Sequence, residues 1–176
     1  MVWQESVPGE SNRNYDIFFR KSHDNGNSFG KEINLSNNKG FSEHPQISGS
    51  GDGVYVVWAE DSNQTKQVIF KKSNNAGDSF GKEIILSNPR SSSYNQETAA
   101  FGSSVYVVWL EKVPNGPYRV MLASSNDRGN TFAEPKVLSE NAMLKHFLRC
   151  LHLMSTCMYP GILMMKDLRL IAESSF

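Results

Sequence analysis

Cysteine is nearly missing from this chain: its 176 residues hold two, Cys150 and Cys157, both near the C-terminal end. A disulfide or zinc framework therefore does not hold the rest together, and two lone thiols read as incidental rather than as metal ligands. Charge of one sign is missing too. Lys+Arg and Asp+Glu both number 18, so no basic field draws in nucleic acid or an anionic membrane surface. The chain shows no charged segment followed by an apolar stretch at its start, and no apolar run near the roughly twenty residues of a membrane span. Up to Leu138 there is no helical periodicity either. What is present is 39% hydrophobic and 11% aromatic residues, enough for a sizeable core.

One stretch comes back. SHDNGNSFGKEINLS begins at Ser22, SNNAGDSFGKEIILS at Ser73 and SNDRGNTFAEPKVLS at Ser125. Gly26, Gly77 and Gly129 lie 51 and 52 residues apart, and each precedes a leucine (Leu35, Leu86, Leu138) by nine residues. A fixed period of this size marks a repeat architecture. Within one period PQISGSG ends in a GDG turn, VYVVWAED and KQVIFKKS follow as β-branched and aromatic strands, and KEIILS follows the glycine turn. The next period repeats this with ETAAFGSS, VYVVWLEK, YRVMLAS and PKVLS. Four short antiparallel strands every fifty or so residues predict an all-β fold, a partial β-propeller of about three four-stranded blades over residues 1–140.

The three stretches resemble the Asp-box, or BNR repeat, Ser/Thr-x-Asp-x-Gly-x-Thr/Ser-Trp/Phe, of sialidases, sortilin-type receptors and a range of non-enzymatic secreted proteins. The resemblance implies that each stretch is the turn between the third and fourth strands of a blade. Asp24 and Asp127 are suited to accept backbone N–H groups of their own turn, and Asn75, where the family has Asp, can still accept. Gly26, Gly77 and Gly129 are expected in the left-handed conformation. Ser28, Ser79 and Thr131 would close the polar network, while Phe29, Phe80 and Phe132 would plug the blade interior. DNGNS lacks the alternating spacing and closing glutamate of a calcium loop, so neither metal nor cofactor is expected.

Recognition in such propellers is expected on the rim opposite the boxes, where Glu60, Asp61, Arg90, Tyr94 and Glu111 are the chemically able side chains among segments read as loops. The family's enzymes grip a substrate carboxylate with three arginines and carry an Arg-Ile/Leu-Pro signature, a Tyr/Glu pair and an acid. That signature is missing here. Of Arg13, Arg20, Arg90, Arg119 and Arg128, none stands in a matching context, and no pair of carboxylates spaced for glycoside hydrolysis is identifiable. No catalytic residue is therefore assigned, since function lives in sites grafted on folds. The expected function is a non-catalytic propeller fragment binding a carbohydrate or protein ligand, from a secreted or cell-surface parent. A weak Asn63-Gln64-Thr65 sequon is compatible with that compartment. The alternatives are a fragment of an exo-α-sialidase-like glycoside hydrolase lacking its catalytic groups, and a chain with no activity of its own.

Two ends break the pattern. MVWQES aligns with VVWAED and VVWLEK, so the first blade is expected to lack its first strand. After Asn141 the pattern stops, and residues 141–176 read as an irregular or helical tail broken at Pro160 and Gly161. Read one frame over, Met154 to Lys166 permits VYVYVSWNTDDE, so this tail is expected to be a frameshifted fourth blade. Open blade faces would favour self-association.

Overall fold

The computed structural model describes residues 1–7, 14–38, 40–62 and 64–139. Arg13, Asn63 and the tail with its expected frameshift lie outside them. Glycine turns cut the β-branched runs into three antiparallel sheets. The first holds β1 (Val2–Ser6), β2 (Tyr15–Phe19) and β3 (Ile33–Asn34). The second holds β4 (Ser42–Ser50), β5 (Gly53–Ser62), β6 (Thr65–Ser73) and β7 (Ile84–Ile85). The third holds β8 (Ser92–Phe101), β9 (Ser104–Lys112), β10 (Tyr118–Ser125) and β11 (Lys136–Ser139). Strands adjacent in sequence are adjacent in each sheet, and the described residues contain no helix.

The last strands of the first two sheets are shorter than the sequence pattern suggests, two paired residues each. A serine takes over the ladder there. Leu35 N–H reaches Ile17 O at 2.7 Å and Leu86 N–H reaches Val68 O at 2.9 Å. The next hydroxyl then accepts the ladder's N–H, from Ile17 to Ser36 Oγ at 3.0 Å and from Val68 to Ser87 Oγ at 2.9 Å. The Leu-Ser that ends each recurring stretch thus supplies a core side chain and a substitute acceptor. The opening strands β4 and β8 each carry a bulge, with His44 and Asn95 at φ +52° and +51°. His44 N–H donates to Gln4 Oε1 at 2.6 Å, tying the bulge to the first sheet.

Strand alternation splits the runs between two faces. Val54, Val56 and Trp58 pack with Ile17, Phe19 and Leu35 of the first sheet. Tyr55 and Val57 pack with Val105, Val107 and Trp109 of the third. Tyr55 through Trp58 are all fully buried, because β5 is covered on both sides.

The second and third corners land on the sheet before their own. Phe80 meets Phe19 edge-on with centroids 5.0 Å apart, and Phe132 meets Phe70 at 4.8 Å. The corner aromatic therefore fills the gap between sheets rather than the interior of its own blade, correcting the expectation from sequence. The physical reason is that the corner overhangs its sheet's face, and the neighbouring third strand presents a phenylalanine there. Phe29 has no described sheet against it and is 43% exposed. A lysine two residues after each receiving phenylalanine adds polar contacts. Lys21 pairs with Asp78, and Lys72 Nζ donates to Arg128 O at 3.1 Å and Asn130 Oδ1 at 2.5 Å.

Phe70→Ala is expected to cost about 3–5 kcal/mol in urea unfolding, since it empties a site shared by two sheets. Phe29→Ala should change stability by no more than about 0.5 kcal/mol. Equal effects of the two would contradict the seating of corners on the preceding sheet.

Candidate functional site

The three corners are built alike from the backbone up. Residue pairs at positive φ turn the chain: Asn25 and Gly26 at +57° and +88°, Ala76 and Gly77 at +53° and +87°, Arg128 and Gly129 at +59° and +71°. Two consecutive left-handed residues make a primed hairpin turn. It closes through Asn27 N–H to Asp24 O at 3.3 Å, with Asp78 N–H to Asn75 O at 3.1 Å and Asn130 N–H to Asp127 O at 3.3 Å in the other two. At Gly77 and Gly129 the glycine is needed for space as well. A Cβ there would stand 2.7 Å from Phe19 Cζ and from Phe70 Cζ, whereas at Gly26 nothing lies within 4 Å.

Asp24 Oδ1 accepts Ser28 N–H at 2.8 Å and Oδ2 accepts the Ser28 hydroxyl at 2.6 Å. Asp127 does the same with Thr131 at 3.0 and 2.6 Å. In the middle corner Asn75 Oδ1 accepts Ser79 N–H at 3.0 Å, and the second contact reverses, Asn75 Nδ2 donating to Ser79 Oγ at 2.9 Å. Sequence reasoning named only the trailing hydroxyl. The leading serine is equally engaged: Ser22, Ser73 and Ser125 accept the corner glycine's N–H at 2.8, 2.9 and 2.9 Å and donate to the acid or amide at 2.7, 2.8 and 2.7 Å. The Ser28 hydroxyl first, then the Ser22 hydroxyl and Ser28 N–H, hold the Asp24 carboxyl down at about 2. The Thr131 hydroxyl and N–H, with Ser125, depress Asp127 likewise. These carboxylates spend their lone pairs on their own turn, which leaves them structural. Among the described residues no group of His, Cys, Asp and Glu could hold a metal ion.

Ala76 N–H bonds Asp52 O and Arg128 N–H bonds Ser103 O, both at 2.8 Å, so the second and third corners share one end of their sheets with the β4–β5 and β8–β9 turns. The opposite end carries the β5–β6 hairpin, the β9–β10 loop and the connections into β4 and β8. Thr65 Oγ1 donates to Pro89 O at 3.2 Å and Lys66 N–H to Ser92 Oγ at 3.3 Å, joining the second and third sheets there.

The five rim candidates are less loop-like than the sequence suggests. Glu60 and Asp61 lie on β5, Tyr94 on β8 and Glu111 on β9, leaving Arg90 alone in a connection. The reason is that hairpin pairing persists to Ser62↔Thr65 and to Lys112↔Tyr118. Glu60 is half-buried, its Oε2 accepting Asn38 Nδ2 at 2.7 Å and Trp58 Nε1 at 3.2 Å. Burial pushes its carboxyl up, against the Trp58 bond. Asp61 pairs with Lys66 at 3.0 Å, and Lys66 also pairs with Glu43. Arg90 is exposed, its N–H bonded to Asn88 Oδ1 at 2.9 Å. Tyr94 stacks edge-on with Tyr118, centroids 6.5 Å apart. Glu111 is 6% exposed, and burial raises its carboxyl against the opposing charge of Arg119, its register partner on β10. Tyr94 sits opposite Leu110 and Glu111 opposite Ser93, so they project from opposite faces of the third sheet. Glu111 instead lines a groove of about 580 Å³ between the second and third sheets, with Trp109, Arg119, Ser87, Asn88 and Pro89. An analogous groove of about 570 Å³ follows the first sheet, lined by Phe19, Lys21, Glu32, Asn34 and Asp78.

In urea, Gly26→Ala should cost about 1 kcal/mol, for backbone strain alone, and Gly129→Ala at least about 2, because Phe70 must move as well. A depressed carboxyl contributes stability that is present above its unfolded value, about 4, and is lost as pH falls through its folded value, about 2 for Asp24. The double variant Asp24→Asn with Asp127→Asn should therefore show a flatter fall in melting temperature across that window than the parent. Parallel curves would remove the charge from the account of the corners.

No family model matches the chain, and no curated protein matches it. Among solved structures it is similar to the Hadza microbial sialidase Hz136, with a TM-score of 0.53 and 12% sequence identity, over 74% of this chain and 33% of that one. The chain spans about a third of that protein's length. At this identity the likeness bears on architecture alone: three antiparallel β-sheets stacked in the manner of a sialidase-like fold.

Proposed function

We propose that the three sheets are consecutive blades of a propeller assembled on Asp-box corners, and that the chain is a non-catalytic part of a glycan- or protein-binding module, secreted or on a cell surface. The observation that carries this reading is the division of labour between the two ends. At one end the polar side chains are consumed by the turns themselves. At the other lie Arg90, exposed, and the Tyr94–Tyr118 aromatic pair, the type of side chains that stack on sugar rings or anchor a protein partner.

Catalysis is less well supported. A glycosidase needs two carboxyl groups roughly 5–9.5 Å apart across one sugar, one of them free to donate or attack. Glu60 is bonded to Trp58 and Asn38, Asp61 to Lys66, and Glu111 turns away from Tyr94. Arg20 pairs with Glu32 at 3.3 Å beside the Trp3 ring, away from the rim. The second reading, a piece of a sialidase-like glycoside hydrolase, is favoured by the sialidase among its structural neighbours.

Hydrolysis of a fluorogenic sialoside should not exceed background, and turnover above it would favour the enzyme reading. On an array of sialylated and neutral glycans, Arg90→Ala and Tyr94→Ala should each weaken binding by about tenfold. Asp127→Asn should leave binding unchanged. Loss of binding from the corner variant alone would place the ligand at the wrong end.

A further inference from the structure

A Trp-x-Glu triplet recurs at Trp3, Trp58 and Trp109, and in the first two units its indole N–H is spent on its own glutamate. Trp3 Nε1 donates to Glu5 Oε2 at 2.8 Å and Trp58 Nε1 to Glu60 Oε2 at 3.2 Å. In the second sheet the same Glu60 oxygen also accepts Asn38 Nδ2 at 2.7 Å, and that amide donates to Ser42 Oγ at 3.1 Å. Ser42 and Glu60 are register partners, so indole, carboxylate, hydroxyl and carboxamide form one closed cluster.

The third sheet keeps three of these four groups. Ser93 faces Glu111 in the register that Ser42 holds to Glu60, and Trp109 precedes Glu111 by two residues on the same face of β9. The fourth group is missing. Leu-Ser-Asn-Asn at 35–38 becomes Leu-Ser-Asn-Pro at 86–89, and the Pro89 ring has nothing to donate. Trp109 and Ser93 are both 0% exposed, yet among the described residues neither Trp109 Nε1 nor Ser93 Oγ has a hydrogen-bond partner. Glu111, buried beside them, therefore receives none of the bonds that hold Glu60. Buried polar groups without partners are uncommon in native proteins, and two in one cluster call for a chemical reason.

The groove supplies one. Trp109 and Glu111 both line the space of about 580 Å³ between the second and third sheets, and Pro89 lines it where the second unit has its amide. Met121 and Phe132 add apolar walls. We propose that this groove binds the primary carboxamide of a ligand, its –NH₂ donating to the Glu111 carboxylate as Asn38 does to Glu60, and its C=O accepting the Trp109 indole N–H. The apolar walls take the body that carries the amide. Such a carboxamide comes either from a small free amide or from the Asn or Gln side chain of a peptide. Glu111 projects from the face of the third sheet opposite Tyr94, so the inference is independent of the rim reading.

Nitrogen-15 NMR of the full chain tests it through the three indole N–H signals, with that of Trp109 assigned by Trp109→Phe. Benzamide serves as the free amide, and acetyl-Ala-Gln-Ala N-methylamide as the peptide source. Titration with at least one of them should move the Trp109 signal and leave those of Trp3 and Trp58 in place, and the tighter probe identifies the source. N,N-dimethylbenzamide, with no N–H to donate, should bind at least about fivefold more weakly than benzamide. Glu111→Gln should weaken binding by about fivefold, through loss of a charge-assisted bond. Pro89→Asn supplies the amide from the chain itself, and should abolish the response without lowering the melting temperature. A Trp109 signal unmoved by both probes, as when water alone satisfies the indole, overturns the proposal. So does equal binding of the dimethylated amide, or binding indifferent to Glu111→Gln.

Discussion

Everything in this molecule depends on a glycine meeting the ring of a phenylalanine from the preceding sheet. A four-stranded sheet of this size cannot bury both faces alone, so its stability is made at its junctions. At the two fully described junctions the corner's glycine sits close against the Cζ end of Phe19 or Phe70, the corner's own aromatic meets the same ring edge-on, and a lysine from the receiving strand bonds to the corner. The polar network inside each corner sets the geometry that aims these groups outward. Local hydrogen bonding and long-range packing are thus coupled through one turn.

That coupling explains why the corner tolerates Asn75. What the junction needs from this position is a fixed turn, and an amide fixes it by accepting one N–H and donating to a hydroxyl. The carboxylates at Asp24 and Asp127 add charge-assisted bonds on exposed ground, so their benefit is screened by water and tied to pH. Ala76 and Arg128 hold the same left-handed geometry as Asn25, at a conformational cost that the surrounding bonds outweigh.

Much of the architecture was legible in the sequence, because side chains that must repeat in space repeat in number. The three corners and the strand order within each sheet follow from Gly26, Gly77 and Gly129 and the β-branched runs around them. The seat did not show itself. Lys21 and Asp78 are 57 residues apart and belong to different units, so inspection of one unit cannot pair them. The same blindness put Phe80 and Phe132 inside their own sheets. Sheet ends were misjudged for a local reason: polar residues such as Glu60 and Glu111 read as loop, yet cross-strand pairing carried them into strands and, for Glu111, out of solvent. The Leu-Ser ending could have been noticed from its recurrence at Leu35, Leu86 and Leu138, since a hydroxyl in fixed register after a core leucine is a standard local acceptor.

The seat also has a direction. Each junction is made by a corner belonging to one unit and a third strand belonging to the unit before it, so the stack has a head and a tail that are not interchangeable. A stretch of fifty-odd residues excised or duplicated as a whole, cut in any phase, rejoins a corner to a receiving strand of the same kind. A partial excision strands one half of a junction on each side. Growth and shrinkage of such a protein by gene duplication are therefore cheap in whole units and costly in fractions.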